Sequence, residues 1–173
     1  MEKDNIGEQV KTVYAHFGLA IYQSQVLEHG LVNALLVLDL VPNKAKSARS
    51  QEHWASLVDQ FFDENFRHTL GRMIQNFKSV GPIPPNLETL LTKALEKRNW
   101  LAHHYFRERA EDFMSSSGRE KMVAELEDAQ NLFRDADKEL EAAAKPLFDK
   151  YGFTEAKLKA ALDDMRKEVQ SDL

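Results

Sequence analysis

The chain has 173 residues, 43% of them hydrophobic and 29% charged, which suffices for one domain with its own core and is too apolar for wholesale disorder. A net charge of −5 excludes a protein that coats nucleic acid through bulk positive charge, so any contact with RNA or DNA has to be local. The absence of cysteine excludes disulfides and thiolate metal sites, and it fits a cytoplasmic setting.

The N-terminal "MEKDNIGEQV" has no apolar core of the kind a signal peptide needs. Little of the chain alternates with period 2, and helical periodicity dominates. A first segment, roughly Asn5 to Leu40, repeats Val10, Val13, Phe17, Ala20, Ser24, Leu27, Leu31, Leu35 and Leu38 at three- and four-residue steps. Its greasiest run, Leu31 to Val41, includes Asn33 and Asp39 and is too short to span a bilayer, so no membrane partner is expected. Pro42 is expected to stop this helix and open a polar loop to Ser50, with Lys44, Lys46 and Arg49. A second segment starts near Ser50, carries Trp54, Leu57, Val58, Phe61 and Phe62, jogs around "DENFRH" and resumes through "TLGRMIQNF".

"VGPIPPN" is the clearest break, after which Asn86 is expected to cap a third segment carrying Leu87, Leu90, Leu91, Ala94 and Leu95 as far as about Met114. Beyond "SSSG", Ser117 with Glu120 matches a capping box for a helix from about Gly118 to Lys150, with Pro146 expected to kink or shorten its end. Gly152 and Thr154 then end one helix and start a short amphipathic one. The expected fold is all-α: an up-and-down bundle of four long segments over residues 1–150, with a C-terminal helix in 151–173 packing on the same domain.

Chemistry concentrates in Leu95 to Asp112, "LEKRNWLAHHYFRERAED". On an ideal helix Arg98 continues the face of Leu91 and Ala94, while Asn99, His103 and Phe106 form a second face. An arginine aimed at a core needs a partner, because an unpaired buried charge is very costly. Glu28 lies inside the apolar stripe of the first segment beside Ser24 and can supply it. In that reading a buried Arg98–Glu28 pair fixes helix register, His103 and His104 are edge residues, and the chain is a non-catalytic helical module for interaction or dimerisation.

"RNWLAHHY" also resembles the R-x4-6-H signature of the HEPN superfamily, with Arg98, four residues, then His103. Extended to Tyr105, it resembles the R-x4-H-x-Y form of HEPN toxins paired with minimal nucleotidyltransferase antitoxins. HEPN domains are all-α bundles of four or five helices, which agrees with the organisation above. The resemblance implies a metal-independent, cofactor-free endoribonuclease, toxin-like or defence-related, leaving 2′,3′-cyclic phosphate and 5′-hydroxyl ends. His103 would be the general acid–base group, with His104 able to exchange roles with it; Arg98 would hold the scissile phosphate and Asn99 would orient the reacting groups. Tyr105 would be the residue that an antitoxin nucleotidyltransferase modifies with adenylate. An RNA- or nucleotide-binding relative that does not cut carries a similar implication for binding alone.

Arg98 and His103 stand about 140° apart on a regular helix, too far round to grip one phosphate together. Either the helix breaks between them or, as the resemblance implies, two motifs face each other across a homodimer formed in part by this helix. From Lys93 to Arg109 there are five Lys or Arg against two Glu, which makes Lys97, Arg107 and Arg109 candidate contacts to RNA phosphate. Metal chemistry has no comparable signal: Glu64 and His68 lie four apart without further carboxylates, and no P-loop, dinucleotide fingerprint or H-E-x-x-H is present.

Overall fold

Helix α1 (Glu2–Leu35) is the spine of the molecule, and the computed structural model describes residues 2–171 around it. Its Val13, Ala20, Ser24, Leu27 and Leu31 share one stripe and are all buried. The opposing stripe belongs to α8 (Ser116–Lys150), where Met122, Leu126, Ala129, Phe133, Ala136, Leu140 and Ala144 recur at three- and four-residue steps. This α1–α8 pair is the centre of the fold, which is all-α as the periodicity predicts.

Pro42 does not stop the first helix. Leu36–Leu40 forms a turn of π-helix, the chain continues through α2 (Val41–Lys44), and a 3-10 turn at Ala45–Ser47 ends it. The Val41 N–H bonds to the Leu36 carbonyl across the wider turn, and Pro42 falls in the first turn of α2, where its missing N–H and fixed φ are tolerated. The continuous helical stretch Ile6–Ser47 is therefore long and apolar enough, by length and composition, to cross a membrane, although the run Leu31–Val41 alone is not. Its apolar stripe is already committed to the core described above.

Helix α3 (Gln51–Phe66) begins where expected, with the Ser50 hydroxyl accepting from the His53 N–H at 3.1 Å. A turn at Arg67 and His68 follows, and Thr69 caps α4 (Leu70–Val80) by accepting from the Arg72 N–H. Helix α5 (Pro85–His103) starts with proline in its first turn and not under an Asn86 cap.

The third segment does not run on to Met114. It stops at His103, since His104 leaves the helix (φ −129°, ψ −26°), and two single turns, α6 (Tyr105–Glu108) and α7 (Ala110–Phe113), lead into α8. Ser115, not Ser117, caps α8, accepting from the Gly118 N–H at 3.0 Å. Pro146 lies inside α8, which runs four residues further to Lys150. After Gly152, with φ of 81°, Thr154 precedes α9 (Glu155–Ser171). Leu158, Leu162 and Met165 of α9 are all more than half exposed.

Candidate functional site

Helix α5 is unbroken from Arg98 to His103 and ends at the next residue. The expected partner of Arg98 is present: its Nε lies 3.5 Å from Glu28 Oε1, with the side chains 32% and 18% exposed. The pair is thus half-buried, and it is a single contact and not a bidentate one. His103 is exposed in the last turn of α5, and Asn99, one turn earlier on the same face, is exposed too. Neither side chain makes a hydrogen bond among the described residues. His104, also exposed, is engaged by Arg107, whose Nη2 lies 3.0 Å from its Nδ1. Because the helix is regular between them, Arg98 and His103 point to different sides of α5, and one chain does not converge them.

Tyr105 follows directly but belongs to the core, with 1% exposure. Its ring stacks on Phe17 at 5.8 Å and meets Trp100 edge-on at 5.0 Å, and its hydroxyl donates to the Met122 carbonyl at 3.1 Å. Burial, reinforced by the Glu125 carboxylate, pushes the phenol well above the ordinary tyrosine range. For adenylate to reach this hydroxyl, the junction between α5 and α8 has to open.

The basic residues divide in two. Arg109 is locked inward: Nε and Nη2 donate to the two oxygens of Glu125 at 2.8 and 2.6 Å, and its guanidinium stands 5.1 Å from the Trp100 ring. The hydrogen bond to Glu125 raises its affinity for the proton further. Lys97, with its amine 4.7 Å from the Trp100 ring, and Arg107 remain the cations nearer to solvent. The Trp100 indole N–H donates to Glu108 at 2.8 Å, so Trp100 organises this cluster.

Arg119 is a residue that sequence reading passes over. It is 5% exposed, donates to Gln9 Oε1 at 3.0 and 2.8 Å, and donates to the Phe113 carbonyl at 2.8 Å. Its signal is its register: it stands three residues before Met122, on the buried stripe of α8. A cavity of about 760 Å³ lies between α1, α8 and the start of α9, lined by Leu36, Leu140, Ala144, Phe148 and Leu158 among others, and no residue of the motif lines it. Among the described residues no group of three or more His, Asp or Glu is placed to hold a metal ion. No protein-family model, curated protein or solved structure matches the chain.

Proposed function

We propose that the chain is a metal-independent endoribonuclease of HEPN type, toxin-like or defence-related, working in the cytoplasm as a homodimer across the motif helix. The observation that carries the reading is the pairing of Asn99 and His103 on adjacent turns, both in solvent and neither used by the fold. Beside them Arg98 is about one-third exposed and held through one 3.5 Å contact, which a phosphate can replace. In the reaction the ribose 2′-oxygen attacks phosphorus while an imidazole takes its proton. The bond to the 5′-oxygen breaks, and that oxygen receives a proton, leaving cyclic phosphate and hydroxyl ends. The arginine of one copy and the histidine of the other would meet on the same phosphate, since one helix cannot present both. Lys97 and Arg107 would extend the phosphate contact, and an antitoxin nucleotidyltransferase would silence the site through Tyr105.

A second reading has its own observation. The Arg98–Glu28 pair and the buried Tyr105 give structural employment to two motif residues, which favours a helical interaction module.

Cleavage of labelled RNA in EDTA by wild type, His103→Ala and Asn99→Ala separates the two. The nuclease reading expects wild type to cut with cyclic-phosphate ends, His103→Ala to lose about 10²–10⁴-fold, and both variants to melt as wild type does. RNA binding without cutting replaces this reading with that of a non-cleaving relative. Neither binding nor cutting across several RNAs leaves the interaction module, in which Glu28→Gln lowers stability by about 0.5–1 kcal/mol and His103→Ala does not.

A further inference from the structure

Beside the motif, α5 and α8 leave an open pocket of about 360 Å³, lined by Lys93, Glu96, Lys97 and Trp100 of α5 and by Leu132 of α8. The four α5 residues share one face, because steps of three and four return to the same side of a helix. The same series continues to His103, three residues beyond Trp100. Pocket and imidazole therefore stand on neighbouring turns, about 4.5 Å of rise apart.

The indole in this pocket is firmly held. Its N–H donates to Glu108 at 2.8 Å, the Tyr105 ring meets it edge-on at 5.0 Å, and the Arg109 guanidinium, tied to Glu125, stands 5.1 Å from it. On the pocket's own lining it meets the Lys97 amine at 4.7 Å, the end of a flexible stem that another group can displace. Lys93 and Glu96 are exposed, and among the described residues neither they nor Lys97 forms an ion pair. Packing explains why Trp100 keeps its place. It does not explain an open pocket with two unpaired ammonium groups and an unpaired carboxylate around a fixed ring.

Few ligands satisfy all of these groups. A planar π-system stacks on the indole, an anion answers the two ammonium groups, and N–H donors answer the carboxylate. A nucleotide has all three. Among the bases, guanine suits the carboxylate best, since its N1–H and 2-amino group lie side by side and give each oxygen a donor. Uracil offers one N–H between two carbonyls, which a carboxylate repels. We propose that this pocket is a base subsite for RNA, in which guanine stacks on Trp100, its Watson–Crick edge donates to Glu96, and its phosphates meet Lys93 and Lys97. The subsite rests on the ribonuclease reading and adds a base preference to it: with His103 one turn away, the cut falls beside a guanosine.

The test reads binding and not cleavage, so subsite and nuclease fail separately. Trp54 and Trp100 are the chain's two tryptophans, so in Trp54→Phe the emission reports the pocket. Guanosine 3′-monophosphate is expected to quench it saturably and to bind about 10-fold tighter than uridine 3′-monophosphate. Glu96→Ala is expected to remove that preference, and Lys93→Ala and Lys97→Ala to weaken both nucleotides and flatten the salt dependence. Equilibrium dialysis of the wild type with the same two nucleotides gives the constants without the Trp54 change. With His103→Ala added to prevent cutting, a short oligoribonucleotide containing one guanosine is expected to bind tighter than the mononucleotide. Equal affinity would make a free nucleotide the occupant and overturn the assignment to RNA. No binding, equal binding of the two bases, or a preference that survives Glu96→Ala overturns the subsite even where the wild type cuts RNA. Guanine-selective binding by a protein that does not cut keeps the subsite and removes the nuclease.

Discussion

Asp137 shows how a side chain on the core's edge is held at a disadvantage. It projects from α8 toward Gly30 of α1, where a Cβ would stand 2.7 Å from its Oδ1, so the glycine is what leaves the carboxyl room. Burial raises its pKa, and the neighbouring Glu141 carboxylate raises it further. A carboxyl whose folded pKa is raised binds protons more tightly in the native state, so stability falls as pH rises from the ordinary aspartate range through the folded value. Asp137→Asn is therefore expected to raise Tm at neutral pH by about 1–3 °C. The gain is expected to disappear below about pH 4, where the wild-type carboxyl is protonated in either state. Thermal melts of both proteins across that range check the sign; a gain that persists at low pH would mean that charge is not its cause. The two arginines of the motif stretch differ at the same scale. Arg109 is held by two short bonds and a ring, Arg98 by a 3.5 Å contact, so the second guanidinium is the less firmly held of the two.

Among the elements, the joint between α7 and α8 tolerates the least change. A Cβ at Gly118 would stand 2.0 Å from the Asp112 carbonyl oxygen, a backbone atom that cannot swing aside. Gly118→Ala is expected to destabilise by about 1–3 kcal/mol through overpacking, despite alanine's better helix propensity. Denaturant unfolding of that variant checks it, and a neutral or stabilising result would show that the joint is looser than drawn. This joint also marks what the sequence does and does not disclose. Ser50, Thr154 and the break at "VGPIPPN" are legible because caps and prolines act locally. The stripe that put Glu28 opposite Arg98 is legible because period and burial go together. The end of α5 is not: no glycine or proline follows His103, and the helix turns because Tyr105 must enter the core between Phe17 and the Met122 carbonyl. Pro42 misleads for the opposite reason, since a π-turn absorbs a residue that a regular helix would reject. Ser115 takes the cap expected of Ser117 because the chain re-enters the helix two residues earlier, where Gly118 is already pressed against α7.

The molecule as a whole has one hydrophobic core and one helix that stands largely outside it. That core runs from Val13 to Ala144 and draws on α1, α4, α5 and α8, with Tyr105 at its motif end. By contrast Leu158, Leu162 and Met165 of α9 keep 52%, 55% and 62% of their surface in solvent. Leu158 lines the cavity together with Leu140 and Phe148. Stability scales with apolar surface withdrawn from water, and α9 withdraws little. Removing residues 155–173 is therefore expected to shift Tm by no more than about 2 °C and to leave the cooperative transition of the core intact. Scanning calorimetry of the full chain and the shortened one decides this. A fall several times larger would mean that α9 lies down on the cavity in solution, covering Leu36 and Phe148 with the stripe that here faces water. The motif end should be indifferent to the change, because among the described residues none of α9 lies among the contacts of Arg98, Tyr105 or Arg109.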